Sequence, residues 1–490
     1  MELVPESSVT SGSFYQTEAH FNQALVGAYQ SLRNVKGSTA AWVMGDFRSD
    51  NTHYKYNPGN RGSFFLESVD LFLDDQTNVL TESKYNECYV GIARANTIID
   101  RIAKVDFTEA AKNNIIGQAK FLRALFYFEL VRYFGGVPLY LNEVSNAEGA
   151  YLPRSTVAEV YAVIEKDALD AIAQLPAPTT TQNGRATKSS AKMLLADVYL
   201  TQKKYALAEE QLRGIIQFGV HGLLPEYASA FNPGNKNSIE SVFEVQYKQG
   251  SEGQASDFVY NFIPLSSDIN KIVGFPANHS SGGGFNTPTQ DLIDSYAPTD
   301  KRLDASIAIA EGTGPVGNMV IESVKSARGY VKPAGKRADP FIKKYLYPHS
   351  LQFNTDNNFP IYRYSDVLLA MAEVLNEQNK PSDALPFLNL VRQRANVPVT
   401  NETSQVALRN IIARERRLEF AFENKRWFDL VRTGKAIEVM NQQGAALKVI
   451  YAGEGYLPPL SYNVTEDRLL FPIPFREIQI GKLVQNKGYN

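Results

Sequence analysis

Charged side chains are concentrated in one stretch of the sequence, residues 409–434, which reads RNIIARERRLEFAFENKRWFDLVRTG. Ile411, Leu418 and Phe422 fall on one face of a predicted helix, and Glu415 lies between them where an apolar residue is expected. A carboxylate on a buried stripe needs a cationic partner, because an unpaired buried charge is costly. The same helix carries many arginines as candidate partners, and Gly434 is a natural stop for it.

Two roles are open for these carboxylates. They could act as a catalytic acid or base, but ion-pair networks that only hold a structure together also perturb titration. Removing one partner of a buried pair typically costs about 3–5 kcal/mol, so such a network makes an effective support. We therefore predict a structural clamp that consists of Glu415, Arg416, Arg417, Glu419, Arg426, Trp427 and Asp429.

Other residue types that could do chemistry form no recognisable site. The five histidines, His20, His53, His221, His279 and His349, show no metal-ligand spacing. The single cysteine, Cys88, falls on an apolar helical stripe, and no Ser-centred elbow is present. The glycine-rich run at 280–285 lacks the Lys-Ser/Thr ending of a phosphate-binding loop. We predict no enzyme, metal or cofactor, although a glycosidase-type pair of carboxylates stays open because its separation depends on the fold.

The composition excludes some further classes. Lys and Arg number 50 and Asp and Glu 52 among 490 residues, so the net charge is −2 and nothing indicates nucleic-acid binding. Aromatic residues are frequent, with 26 Tyr and 27 Phe. No run of 18 apolar residues is present, and the start, MELVPESS, has no basic and apolar leader. Taken alone, that start is typical of a cytosolic protein.

The elements that would position these residues are mostly helices. A five-residue pattern that begins at Ala119 recurs with identical spacing from Ala191, 72 residues later, which is about twice the tetratricopeptide period. A related ladder of small and large residues recurs from Met371. We predict a mainly α fold with tetratricopeptide-like helical hairpins and an irregular, loop-rich insertion that carries a few short strands.

One continuous body with four regions is expected. Helical periodicity is lost over residues 37–81 and again over much of 223–360, and both stretches are rich in aromatic residues. The four regions are a helical region at 1–222 that includes the long loop 37–81, an irregular region at 223–360, helical hairpins with the clamp helix at 361–445, and an extended docked tail at 446–490.

Several blocks of the sequence resemble the SusD/RagB family, the surface lipoproteins of Bacteroidota that bind nutrients beside an outer-membrane transporter. They follow in the expected order: LVPES, YVGIARANTIIDRI, GQAKFLRALFYFELVRYFGGVPL, ATKSSAKMLLADVYL, PIYRYSDVLLAMAEVLNE, ERRLEFAFENKRWFDLVR and FPIPFREI. The resemblance implies a lipid anchor at the outer-membrane cell surface and a SusC-like TonB-dependent transporter as partner. Because the sequence has neither leader nor lipidated Cys, we expect both upstream of Glu2.

The resemblance also places a ligand site on the two irregular stretches. For a glycan, aromatic rings would stack on sugar faces while carboxylates, amides and Arg bond the hydroxyls. The candidates are Trp42, Asp46, Arg48, Asp50, Asn51, Tyr54 and Tyr56 from the first stretch and Tyr260, Phe262, Phe275, His279 and Phe285 from the second.

Three alternatives remain beside glycan capture. The RagB branch of the family binds peptides or protein fragments, although the Trp and Tyr residues of the first stretch favour glycans. A glycan-degrading enzyme and a protein-interaction scaffold are the other two. The helical hairpins would suit a scaffold, since such arrays usually present a concave face to other proteins.

Overall fold

The computed structural model of the protein describes residues 14–55, 64–146, 148–180, 184–266, 268–276, 283–315, 317–452 and 457–489. Its first part is helical, because apolar residues recur at helical spacing and polar residues cap the starts: Thr156 and Glu159 form the predicted capping box. The helices are α1 (Glu18–Lys36), α2 (Thr39–Trp42), α3 (Phe64–Asp70), α4 (Val79–Ile102), α5 (Glu109–Phe134), α6 (Val157–Gln174), α7 (Lys188–Thr201) and α8 (Tyr205–Gln217).

The irregular middle of the chain contains short elements, and one further strand, β1 (Thr52–His53), lies in the first irregular stretch. The elements of the middle are α9 (Phe258–Phe262), α10 (Asn270–Val273), α11 (Gln290–Ser295) and α12 (Lys301–Ser306), with strands β2 (Ser241–Val245), β3 (Thr287–Pro288), β4 (Ile307–Thr313), β5 (Val320–Ser326), β6 (Arg337–Ile342) and β7 (Phe359–Arg363). The three antiparallel sheets have the strand orders β5-β4-β6, β2-β7 and β1-β3. Since β1 belongs to the first irregular stretch and β3 to the second, their pairing joins the two stretches.

The last part is helical again. Its helices are α13 (Tyr364–Glu377), α14 (Pro381–Arg394), α15 (Gln405–Glu419), α16 (Arg426–Arg432), α17 (Ala436–Ile450) and α18 (Phe475–Gln479). The pairs α5/α6, α7/α8 and α13/α14 pack as hairpins, α6 on α7 and α8 on α13 join them into a stack, and α15 packs on α13 and α14. Ala119 and Ala191, the recurring small residues, are fully buried on α5 and α7. The predicted mainly α fold with helical hairpins and short strands is confirmed.

The charged stretch 409–434 was expected to form one helix, and this is wrong. Helix α15 ends at Glu419, and Phe422 and Asn424 have φ of +67° and +57°, so the chain turns before α16 begins. The turn brings Glu423 against Lys344 and Arg363 in the interior, which a continuous helix would not do. The apolar face of α15 is also shifted by one residue, because Ile412 is buried and Ile411 only half-buried.

The long stretch 37–81 is less irregular than its lack of periodicity indicated. It contains α2, a π-helical turn at Val43–Phe47, β1 and α3, and these elements are too short to give a periodic pattern. The C-terminal segment after α17 packs along the helices: Tyr462 donates a backbone hydrogen bond to Leu71, and Phe471 donates one to Tyr133. Within the described residues, no helix combines the length and apolar character needed to cross a bilayer.

Candidate functional site

The clamp residues form a buried network of ion pairs with distant parts of the chain. Glu415 was expected to pair with arginines of its own helix, but its partners are Arg302 of α12 at 2.6 Å and Arg392 of α14 at 2.8 Å. The expected local pairing is therefore wrong, and Glu415 joins α15 to α12 and α14.

Glu419 is the centre of this network. Its carboxylate contacts the guanidinium groups of Arg363 at 2.8 Å, Arg394 at 2.5 Å and Arg302 at 3.2 Å, and its side chain is fully buried. Burial by itself raises the pKa of the Glu419 carboxyl, but these three arginines outweigh it and hold the pKa well below its usual range. The carboxylate therefore stays ionised and is held as a structural anion.

The other clamp residues divide into two groups. Asp429 pairs with Arg416 at 3.0 Å and with Arg432 at 2.7 Å, which fastens α16 to α15. Trp427 is fully buried and packs edge-on against Phe72. Arg417 and Arg426 instead reach out of the clamp towards the first irregular stretch.

The contacts of Arg417 and Arg426 connect the clamp to ligand-site candidates of the first stretch. Asp50 accepts hydrogen bonds from Arg426 at 2.7 and 2.9 Å and lies 3.1 Å from Arg417, while the Asn51 side-chain oxygen accepts from Arg417 at 2.9 Å. Burial by itself raises the pKa of the Asp50 carboxyl, but Arg426 and Arg417 outweigh burial and hold this pKa below its ordinary value. Asp50 and Asn51 are buried and fix the first stretch to the clamp.

Aromatic candidates from both stretches pack against each other. The Trp42 ring meets Phe47 and Phe262 edge-on at 5.3 and 5.5 Å and stacks with Phe285 at 6.2 Å. Tyr54 stacks on the same Phe285 ring at 6.0 Å. Because Trp42 is 3% exposed and Tyr54 is 2% exposed, neither ring is accessible in this conformation. Ligand contact by these two side chains stays a prediction, and it requires the rings to become exposed.

Asp46 and Arg48 also lie in the interior. Asp46 accepts a hydrogen bond from Asn286 at 3.2 Å, and burial raises the pKa of its carboxyl to about 7. Arg48 pairs with Asp74, and its guanidinium group lies over the rings of Phe72 and Phe471 at 4.0 and 4.3 Å. Both side chains hold other parts of the chain in place.

Residues of both stretches line a small accessible cleft, here called the loop cleft. Lys55 at its edge pairs with Asp339, which Arg337 also contacts at 2.9 Å. The cleft has a volume of about 30 Å³, so a ligand would lie across its mouth and not inside it. Its lining residues are Lys55, Phe262, Pro264, Leu265, Gly283, Gly284, Thr287, Gly317, Arg337, Asp339 and Pro340.

A group of aromatic side chains extends the candidate surface. Tyr260 is buried, and its hydroxyl lies 2.5 Å from Nε2 of His349. Phe275 is half-buried and packs against the same imidazole at 5.2 Å, while Phe353 covers Tyr260 at 4.5 Å and is 40% exposed. Phe353 therefore offers the accessible ring of this group.

Several residues of this surface were not predicted as ligand-site candidates from the sequence. Lys55 lies between two candidates and could have been found from its position, whereas Arg337, Asp339, His349 and Phe353 carry no local signal because only the tertiary fold brings them here. Two candidates, Tyr56 and His279, lie outside the described residues. Among the residues that the structure describes, no group of three or more His, Cys, Asp or Glu side chains could hold a metal ion.

Comparison with known proteins finds related families along most of the chain. A family model described as SusD family matches residues 239–489, and one described as "Starch-binding associating with outer membrane" matches residues 2–200. SusD-like protein P38 from Formosa agariphila is 26% identical, with 100% of this chain and 95% of that protein covered.

Two further proteins link the match to named ligands. Starch-binding protein SusD from Bacteroides thetaiotaomicron is 23% identical, with 84% of this chain and 78% of that protein covered. The solved structure of a laminarin binding SusD-like protein is 26% identical, covers 97% of this chain and 100% of that chain, and superposes with a TM-score of 0.77.

Proposed function

Since the chain belongs to the SusD family, we propose that it is a cell-surface protein that captures oligosaccharides or polysaccharides and passes them to a SusC-like TonB-dependent transporter. The observation that carries the proposal is the similarity, over nearly the full length, to a structure that binds laminarin. A lipid anchor would hold the protein at the outer membrane, in keeping with the family model that matches residues 2–200.

The loop cleft and the adjoining aromatic group supply the chemistry that glycan capture needs. The exposed Phe353 ring offers an apolar face for a sugar ring, and Lys55, Arg337 and Asp339 offer donors and acceptors for hydroxyls. The clamp holds this surface in place, because Arg417 and Arg426 fix the first stretch and the β1–β3 pair fixes the second stretch to it. Such a surface binds without any covalent step, so we propose no enzymatic activity.

A binding screen of the full chain tests this function. The panel contains laminarin, starch, xylan and their oligosaccharides, together with a peptide mixture. We expect glycan dissociation constants between about 1 μM and 1 mM, as suits a protein that must release its cargo. Peptide binding without glycan binding would contradict the proposal and favour the RagB branch, and release of reducing sugar from a bound glycan would contradict the absence of catalysis.

Two variants locate the site. Phe353→Ala should weaken binding of the selected glycan by about tenfold, which corresponds to about 1.4 kcal/mol of binding free energy. Val449→Ala, which trims a side chain that is 77% exposed on α17 and lines neither the cleft nor the aromatic group, is the matched control and should bind like the unchanged protein.

The transporter partner is tested separately in cells. Crosslinking of the protein at the cell surface should recover a TonB-dependent outer-membrane transporter. If no such partner is recovered while glycan binding by the purified protein persists, the delivery step is wrong and the capture step stands.

A further inference from the structure

A second groove, much larger than the loop cleft, shares no lining residue with it. Its walls are one face of α4, the connection between α5 and α6 at 138–152, and the chain from Arg476 to Leu483. The groove is open to solvent and has a volume of about 810 Å³, within the range of about 300–1,000 Å³ that is typical of ligand sites.

The walls of this groove, here called the α4 groove, are held by hydrogen bonds. The Tyr89 hydroxyl donates to the Pro138 carbonyl at 2.8 Å, and the Tyr140 hydroxyl donates to the Ala150 carbonyl at 2.9 Å. The Asn96 amide bridges the connection by donating to the carbonyls of residues 140 and 142. The connection therefore does not depend on a ligand for its shape.

One aromatic ring stands out in the α4 groove. Tyr151 lines the groove and is 58% exposed. An open tyrosine ring is a suitable platform for the apolar face of a sugar.

Polar side chains line the same groove. Among the described residues, no side-chain hydrogen bond or ion pair is made by Asn86, Asn142, Arg476 or Glu477. Glu477 is half-buried, and burial raises the pKa of its carboxyl, a cost that hydroxyl donors from a ligand would offset. Two amides, a guanidinium group and a carboxyl group can together serve both as donors and as acceptors for sugar hydroxyls.

We propose that the α4 groove is a second carbohydrate-binding site, in which Tyr151 stacks on a sugar ring while Asn86, Asn142 and Glu477 bond its hydroxyls. The proposal rests on the proposed function, because it takes a glycan as the ligand. Two sites on one chain would let a polysaccharide bind at both, and the second contact raises the apparent affinity because it becomes intramolecular.

A protein partner fits this groove less well than a carbohydrate. Val90, Val144 and Ile480 at its edge are 41–51% exposed, which a protein could cover. However, Glu is depleted in protein interfaces, whereas Glu143 and Glu477 both lie in this lining. The mixture of one open ring and dispersed amide and charged groups favours a carbohydrate.

Calorimetric titration of the full chain with laminarihexaose and maltohexaose tests the second site. We expect two oligosaccharides per chain for the unchanged protein and one per chain for Tyr151→Ala. Tyr151→Phe keeps the ring and should keep both sites, which separates stacking from a general disturbance. With laminarin or starch, Tyr151→Ala should lower the apparent affinity by about tenfold or more, because bivalent contact is lost.

The outcomes separate this inference from the proposed function. One oligosaccharide per chain, lost in Phe353→Ala and unaffected by Tyr151→Ala, would overturn the α4 groove alone. Binding that is lost in Tyr151→Ala and unaffected by Phe353→Ala would support the groove and contradict the loop cleft. Absence of binding to every glycan contradicts both. Loss of the crosslinked transporter in Tyr151→Ala, with unchanged glycan binding, would assign the groove to a protein partner and overturn the inference.

Discussion

At the scale of single residues, the candidate ligand contacts and the structural supports prove hard to separate. Trp42, Asp46, Arg48 and Asn51 have the residue types of a glycan site, yet all are buried. Side chains of the first irregular stretch serve packing and pairing: Asp50 pairs with two clamp arginines, and Arg48 lies over two aromatic rings. Residue type alone therefore does not show whether a polar or aromatic side chain faces a ligand or the core.

Asp46 leads to a prediction about pH. Burial raises the pKa of its carboxyl from 3.8 to about 7, so the folded protein keeps a proton that the unfolded chain loses above pH 4. The free energy of unfolding contributed by this group therefore falls between about pH 4 and pH 7, by up to about 1.4 kcal/mol per pH unit, and is level above that range. Asp46→Asn, which cannot ionise, should gain stability relative to the unchanged protein as pH rises.

Urea denaturation at pH 5 and pH 8 checks this prediction. The free energy of unfolding of Asp46→Asn minus that of the unchanged protein should be more positive at pH 8 than at pH 5. Asp294→Asn, which removes a charge from an exposed position on α11, controls for the loss of a negative charge. An equal difference for Asp46→Asn at both pH values would show that this carboxyl is ionised in the folded protein.

At the scale of elements, the helical stack depends on close approaches that small residues allow. Gly91 on α4 faces α5, and a Cβ atom at this position would lie 2.3 Å from Cε2 of Phe126. Gly27 on α1 is also within a helix, but a Cβ atom there would have no neighbour within 4 Å. The same substitution should therefore have opposite effects at the two glycines.

Gly91→Ala is expected to lower the free energy of unfolding by about 1–3 kcal/mol, because the added methyl group forces α4 and Phe126 apart. Gly27→Ala, the matched control, should raise it by up to about 1 kcal/mol, since alanine favours the helix. Thermal and urea unfolding measure both changes. Two changes of equal size and sign would contradict the close packing of α4 on α5.

At the scale of the whole molecule, buried ion pairs join the helical stack to the irregular part. Arg363 at the end of β7 contacts Glu240 at 2.8 Å, Glu419 at 2.8 Å and Glu423 at 2.8 Å, and Arg394 of α14 contacts Glu240 at 3.1 Å. Glu240 belongs to the irregular region, Arg394 to the hairpins, and Glu419 and Glu423 to the charged stretch 409–434. The network therefore joins the irregular region to the helical stack.

Glu419→Gln should lower the free energy of unfolding by about 3–5 kcal/mol, because three buried guanidinium groups lose their shared anion. Glu438→Gln is the control: Glu438 pairs with Lys435 at 2.8 Å, but its side chain is 63% exposed, so about 0–1 kcal/mol is expected. Urea unfolding of both variants measures the contrast. A loss for Glu419→Gln as small as that of the control would mean that the network adds little to stability.

The fold class and the family could be predicted from the sequence, because helical periodicity, capping residues and family-like sequence blocks are local patterns along the chain. Helical spacing also predicted that Glu415 lies on a buried face, and the family resemblance implied that the two aromatic stretches share one surface. The partners became known only from the folded structure: Arg302 and Arg392 for Glu415, Phe262 and Phe285 for Trp42, and Asp339 for Lys55. These contacts join residues far apart in the chain, and short-range patterns carry no information about which distant side chain will fill or neutralise a given position.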